Sequence, residues 1–305
     1  MKKFVALVLV LMMVLSCSAM AEETYEVGIL QLVQHEALDQ ATQGFIDTLT
    51  AKLGDKVKFD VQNASGDTAA CTTIATTFTS DEVDLIMANA TPAVQAAMNA
   101  TADIPVVGTS VTVYNFLEGA TNVTGTSDLA PLDGQAQMIL ELFPETKTVG
   151  MLYCSAEANS QYQVDTVQAY LEDMGLECTQ YPFADSNDMA AVTQTACDNS
   201  DVIYVPTDNT VASSTGIIDG ICQPAGVPVI AGEEGICSGC GVATLSISYY
   251  DLGVKTAEMA AQILKGEADI STMAIGYADK QTPKYNAAIC EALGITPLEG
   301  YEAIG

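Results

Sequence analysis

Arginine and tryptophan are missing from this chain, histidine occurs once, at His35, and the only cations are ten lysines set against 39 acids. Each shortage excludes something. A net charge of −29 repels nucleic acid, whose binding depends on basic contacts to phosphate, and suits anionic lipid no better. Without arginine no bidentate guanidinium clamp can hold a carboxylate or phosphate. With one histidine and no paired C-x-x-C motifs, a zinc centre lacks ligands, and a hydrolytic triad would have to recruit His35, which no serine motif accompanies. Neither G-x-G-x-x-G, a P-loop nor G-x-S-x-G is present. The missing tryptophan counts against a sugar site built on large aromatic platforms. The expectation is a protein that is not an enzyme and that carries no metal or cofactor.

The N-terminus, MKKFVALVLVLMMVLSCSAMAEET, places two lysines before a short apolar run, as a signal peptide does. Ala19-Met20-Ala21 fits cleavage after Ala21, and Val14-Leu15-Ser16-Cys17 fits a bacterial lipobox that would put lipid on Cys17; the lipid-anchored form is favoured. A leader of residues 1–21 carries two lysines and no acid, so its removal takes the charge from −29 to −31. No later segment is apolar for long enough to cross a bilayer. The expected location is extracytoplasmic, either tethered at the membrane or free. Export permits disulfides among the eight cysteines beyond Cys17, but spacing alone does not pair them. Cys237-Ser-Gly-Cys240 reads as a small loop or free thiols; its extra glycines argue against the helix that a redox dithiol opens.

The rest of the chain repeats itself. "VGILQLVQHEALDQATQGFIDTL" from Val27 matches "VGMLYCSAEANSQYQVDTVQAYL" from Val149, "VDLIMANATPAVQAA" matches "SDVIYVPTDNTVASS", and "IPVVG" matches "VPVIAG", at offsets of about 120 residues. Each unit is an apolar strand, a polar turn and an amphipathic helix. Short, wholly apolar strands alternating with helices imply parallel sheets covered on both faces, and so an α/β chain of two Rossmann-like lobes. Asp67 and Asp188 stand where N-caps belong, and Pro92 where a first-turn proline belongs. In such sheets ligands sit beyond the carboxyl ends of the strands, near helix N-termini. Those ends are Gln31 to His35, Asn89 to Thr91 and Gly108 to Ser110 in the first lobe. In the second they are Cys154 to Asn159, Thr207 to Asn209 and Gly232 to Glu234. The residues alone support a small polar or zwitterionic ligand.

"QHEALDQATQGF", "ANATPAVQAA", "NVTGTSD", "SAEANS", "VPTDNTVAS" and "DLG" are spaced as in substrate-binding proteins of ABC transporters, and the chain resembles their tryptophan/tyrosine-binding type. The resemblance implies a type I periplasmic-binding-protein architecture with a cleft between lobes and three crossings. On that pattern residues 24–126 with 245–274 form the N-terminal lobe, and 127–244 with 275–305 the C-terminal lobe. It also implies a monomer that closes by a hinge on an amino acid, an aromatic one by the family's habit, and docks on a membrane permease. The chain departs from the pattern at Ser110-Val111-Thr112-Val113-Tyr114, where the family carries Thr-Asp-Pro, and in the glycines and cysteines of Gly235–Gly241. A ligand-sensing receptor module, a sugar- or nucleoside-binding protein and a thiol oxidoreductase are the alternatives.

For a zwitterion, the ammonium needs a carboxylate. Asp208 is the first choice, with Asp128, Glu157 and Glu233 behind it. The ligand carboxylate, denied arginine, would use helix-start amides and hydroxyls at Thr91 and Ser155, with Gln31, Ser110, Asn159 and Asn209 completing the cleft. Each has a plainer reading: Asp208, Asn209, Thr91, Asn159 and Asp128 as caps or turn formers, Glu233 and Glu234 as a solvated loop, His35 as a helix-start or packing residue. Tyr114 and Tyr153 would either stack on an aromatic ligand or fill the core.

Overall fold

A computed structural model describes residues 24–304; the leader, with Cys17 and Ala21, lies outside the described residues. The chain forms two sheets. The first contains β1 (Tyr25–Gln31), β2 (Val57–Asn63), β3 (Leu85–Asn89), β4 (Val106–Val111), β5 (Val123–Ser127) and β11 (Gly276–Tyr277), in the order β11-β5-β4-β3-β1-β2. The second contains β6 (Thr148–Cys154), β7 (Glu177–Phe183), β8 (Val202–Val205), β9 (Val229–Ala231), β10 (Ala243–Ile247), β12 (Gln281–Tyr285) and β13 (Glu302–Ala303), in the order β13-β12-β10-β9-β8-β6-β7. The run β2-β1-β3-β4-β5 of one sheet recurs as β7-β6-β8-β9-β10 in the other, so the sequence repeat is a repeat of topology. All pairings are parallel except that of β10 with β12. This is the type I periplasmic-binding-protein architecture.

Helices cover both faces of each sheet, as near-continuous apolar strands require. In the first lobe α1 (Glu36–Leu53) lies on one face and α2 (Thr68–Ser80) with α3 (Thr91–Ala100) on the other. In the second, α4 (Leu132–Leu142) and α5 (Ala158–Asp173) share one core with the late helix α11 (Ala287–Leu293). The opposite face carries α6 (Ser186–Asn199), α8 (Thr215–Ala225) and α9 (Glu234–Cys240). The single-turn α7 (Asn209–Ala212) follows β8. Finally α10 (Tyr249–Leu264) returns to the first lobe and packs on α1.

The chain passes between the sheets three times: after β5, after β10, and between β11 and β12. All three passages fall later than the family pattern suggests, the first by one residue, because Ser127 still pairs in β5. Residues 245–247 remain in the second sheet because β10 keeps its pairing with β12 as far as Ile247, and Gly276–Tyr277 pair with β5 in the first.

Local chemistry mostly follows the sequence. Asp67 caps α2, accepting from the amides of Ala69 and Ala70, and Pro92 occupies the first turn of α3. Helix α6 starts three residues earlier than the sequence suggests: Asp185 is its cap and Asp188 sits in its first turn. The segment around Cys237-x-x-Cys240 is helical, contrary to expectation. Glu233 caps it through the amides of Gly235 and Ile236, and Ile236, Cys237 and Cys240 are buried, so capping and apolar burial outweigh the cost of its glycines. Tyr114 and Tyr153 serve the core. The Tyr114 hydroxyl donates to the Thr126 carbonyl and that of Tyr153 to Gln161 and Gln180.

Helices α1 and α10 approach through a reciprocal pair of glycines. A Cβ on Gly253 would collide with the Ala41 carbonyl, and one on Gly44 with the Tyr250 carbonyl. Both obstacles are backbone and cannot step aside. Gly253→Ala should cost about 1–3 kcal/mol through overpacking, despite alanine's better helix propensity. Urea denaturation checks this: unchanged or raised stability would mean the helices are free to separate.

Candidate functional site

The strand ends of both lobes meet across one seam. A narrow gap of about 10 Å³, room for little more than a water, lies there, reached by His35 and Leu38 at the start of α1, Ser110 at the end of β4, Asp128 and Tyr249 on two crossings, and Asn159, Asp208 and Glu233 from the second lobe. Among the described residues no lysine lines it. Beside it, between Val33, Gly66 and Pro92 of the first lobe and Ala156 and Ala184 of the second, opens a wider recess of about 260 Å³. Glu157 and Asn209 border this recess.

Four carboxylates are buried around the seam, and the structure separates their roles. Asp208 accepts from the Cys154 amide at 2.7 Å and from the Val211 amide at 2.9 Å, so each oxygen already holds an amide, one of them capping α7. Glu157 takes the amide and hydroxyl of Thr210 on one oxygen (2.9 and 2.8 Å) and the amide and side chain of Asn209 on the other (3.1 and 2.6 Å). Glu233 caps α9 through bonds of 2.6 and 2.5 Å; it is a buried cap, where a solvated loop was the plainer reading. Asp128 is different. Its Oδ2 accepts from the Tyr249 hydroxyl at 3.1 Å, while its Oδ1 is buried with no partner.

The neutral residues divide in the same way. Gln31 turns inward, accepting from Thr42 and donating to Val33 and Asp39. Ser155 is exposed and donates to the Phe183 carbonyl; neither lines the gap. Asn159 donates to the Thr207 carbonyl at 3.1 Å, which fixes its Oδ1 as an acceptor, and that oxygen is partnerless. Asn209, held by Glu157, accepts from His35 Nε2 at 3.2 Å across the lobes. Its amide nitrogen is committed to a carboxylate, so His35 is the donor here and His35 Nδ1, also partnerless, is a lone-pair acceptor. The sequence places His35 at a strand end and favours a helix-start or packing role; it does stand at the N-cap of α1, and it also reaches the seam.

Buried polar atoms without partners are rare and each calls for an explanation. Among the described residues those of His35, Asn89, Thr91, Ser110, Asp128 and Asn159 belong to the strand ends at this seam. Two non-glycine residues with positive φ stand among them, Ala90 (φ 87°) and Ser110 (φ 55°). Such conformations cost about 1–3 kcal/mol each and collect at functional sites. The positive φ at Ala90 immediately precedes α3, which starts without a side-chain cap; Pro92 has no N–H and the Val94 amide bonds the Ala90 carbonyl, which leaves the Thr91 and Ala93 amides beside the Thr91 hydroxyl.

Burial pushes Asp128 up to about 6 and Glu233 up to about 7; burial, and then the Glu157 charge, push Asp208 up to about 8. Burial pushes His35 down. Above the ordinary carboxyl range near pH 4, the folded protein keeps protons on these acids that the unfolded chain has released. Its stability therefore falls as pH rises through their folded values. Between pH 7.5 and 8.5, where His35 is about nine-tenths or more neutral in both states, the Tm of the ligand-free protein should decrease. A Tm that climbs over this interval would show that Asp208 and Glu233 are ionised and fully satisfied once folded.

Two lobes joined by three crossings, with partnerless polar atoms facing each other over a hinge, define a solute-binding protein of the periplasmic type. The chain belongs to the ABC transporter substrate binding protein family, which matches residues 26–300. It is 38% identical over 252 residues to the tyrosine-binding protein of Clostridioides difficile (strain R20291), covering 79% of this chain and 73% of that protein. Among solved structures, an ABC domain in complex with L-Trp from Streptococcus pneumonia superposes with a TM-score of 0.87 at 32% identity, covering 92% of this chain and all of that one. The ligand-free, open structure of a substrate-binding protein with adhesive properties from Clostridium difficile gives 0.70 at 36% identity, covering 92% and 99%. The family is one of binding proteins, and its members work outside the cytoplasm. Among the described residues no helix is long and apolar enough to cross a membrane.

Proposed function

We propose that this chain is the solute receptor of an ABC importer, that it takes an aromatic amino acid into the seam, and that the lobes close over it by hinge motion. The observation that carries the reading is the set of partnerless polar atoms on both lobes, with Asp128 Oδ1 among them. In this assignment Asp128, rather than Asp208, receives the ammonium, because Asp128 Oδ1 has no partner while each oxygen of Asp208 already accepts an amide. Asn159 Oδ1 accepts a second ammonium proton. Thr91, Ser110 and the uncapped start of α3 take the carboxylate through amides and hydroxyls, with no guanidinium needed. The ring extends toward the wider recess, walled by Leu32, Val33, Pro92, Ala156 and Ala184.

The relatives support the ligand class, one being named for tyrosine and another holding L-Trp. Closure is supported by shape: the more identical relative is the less superposable one, and it is the open, ligand-free form. The His35–Asn209 bond would form only when the lobes meet. A permease partner, a monomeric state, the lobe boundaries and a lipid anchor at Cys17 complete the proposal.

A thermal-shift screen of amino acids, sugars and nucleosides tests the ligand class. Tryptophan or tyrosine at 100 times its Kd should add about 2.7 kcal/mol of stability; a response confined to sugars or nucleosides would discard the assignment. Asp128→Asn, nearly isosteric, should weaken amino-acid binding by at least about thirtyfold, or about 2 kcal/mol, while leaving unfolding close to wild type. Because the ammonium requires ionised Asp128, which burial pushes up to about 6, wild-type affinity by calorimetry should drop about tenfold per pH unit below that point and level off above it. Normal affinity in Asp128→Asn returns the ammonium to another acid.

A further inference from the structure

Spacing could not pair the eight cysteines beyond Cys17, but the fold sorts them. The thiols of Cys237 and Cys240 turn to the carbonyls of Gly241 and Ile236 at 3.6 and 3.4 Å, that of Cys290 to Val242 at 3.4 Å, and that of Cys154 to Ala184 at 3.5 Å. Cys197 and Cys222 instead face each other with their sulfurs 3.2 Å apart. Cys197 lies in the last turn of α6 and Cys222 in α8. The two helices pack side by side on one face of the second sheet, and both cysteines belong to the same apolar core. The sulfurs stand about 1.2 Å beyond the disulfide bond length of about 2.05 Å, so a small approach of the two side chains closes the bond.

We propose that Cys197 and Cys222 are oxidised to a structural disulfide in the exported protein, riveting α6 to α8. The inference rests on the extracytoplasmic location and is independent of which ligand the cleft takes. Its chemistry is thiol–disulfide exchange. The Cys197 thiolate attacks a protein or low-molecular-weight disulfide, expelling one thiolate and leaving a mixed disulfide. The Cys222 thiolate then attacks Cys197 Sγ, expelling the second. The two protein thiols lose two protons and two electrons, and the oxidant is reduced to two thiols. Both sulfurs are buried in the folded protein, so the exchange belongs to the folding chain and the finished bond is shielded from reductant.

Helix α8 follows directly on α7, whose first amides Glu157 and Asp208 hold. The bond therefore braces the second-lobe side of the seam. The C-x-x-C pair that the sequence singles out stays reduced, each of its sulfurs being turned to a backbone carbonyl.

The test is peptide mapping of the full chain exported with its own leader, denatured in iodoacetamide and cut before aspartates. Cys197 then ends the peptide Asp188–Cys197, and Cys222 lies in Asp219–Tyr250. The expected result is these two peptides joined, about 2 Da lighter than their sum, with fragmentation placing the link at Cys222. Reductant should lower the wild-type Tm by roughly 5–10 °C and leave Cys222→Ser unmoved. Carbamidomethylated Cys197 in the exported protein, or a link to Cys237 or Cys240, would overturn the proposal. Neither result depends on a variant that folds, and neither bears on the ligand.

Discussion

Four carboxylates buried in one seam, in a chain with no arginine and with no lysine lining the gap, form the constraint on which the rest of the site depends. A buried charge without a partner is untenable, so each acid must be neutralised, protonated or held by donors. The fold answers with backbone amides. Glu157 and Asp208 together take up the first amides of α7, and Glu233 those of α9. Helix starts thus do the work that guanidinium groups do elsewhere. They do it without mobile cations that a ligand's own ammonium would have to displace.

The one acid that this scheme leaves half-satisfied is Asp128, on a crossing between the lobes and braced by Tyr249 on another. Opposite stand Ala90 and Ser110 with positive φ at the ends of β3 and β4. The second lobe holds its acids in amides, while α3 of the first begins without a side-chain cap.

Direct polar contact across the lobes is sparse beside this: His35 with Asn209, and a long contact of 3.5 Å from Gln163 to Thr112. Neutral hydrogen bonds contribute about 0.5–1.5 kcal/mol each, too little to hold two lobes together against the repulsion of so acidic a chain. On the proposed hinge, most of the closing energy would come from the ligand. The tight α1–α10 glycine contact fixes the returning helix to the first lobe.

The duplicated strand–helix pattern, the parallel sheets, the cleft at the strand ends and the polar character of those ends were legible in the residues, because apolar runs, turn chemistry and capping are local. The sequence by itself also determined that no guanidinium would hold the ligand. Only the tertiary structure separated the surroundings of Asp208 and Asp128. Both follow apolar strands and read alike, but Asp208 is met by the amides of Cys154 and of its own helix, and Asp128 by hydroxyls, those of Thr112 and of Tyr249 from 121 residues away. It likewise turned Ser155 and Gln31 away from the gap, folded Gly235–Gly239 into a capped helix, and brought Cys197 to Cys222. Each of these depends on which segments distant in the chain arrive alongside, and strand register and helix packing set that while residue pattern does not.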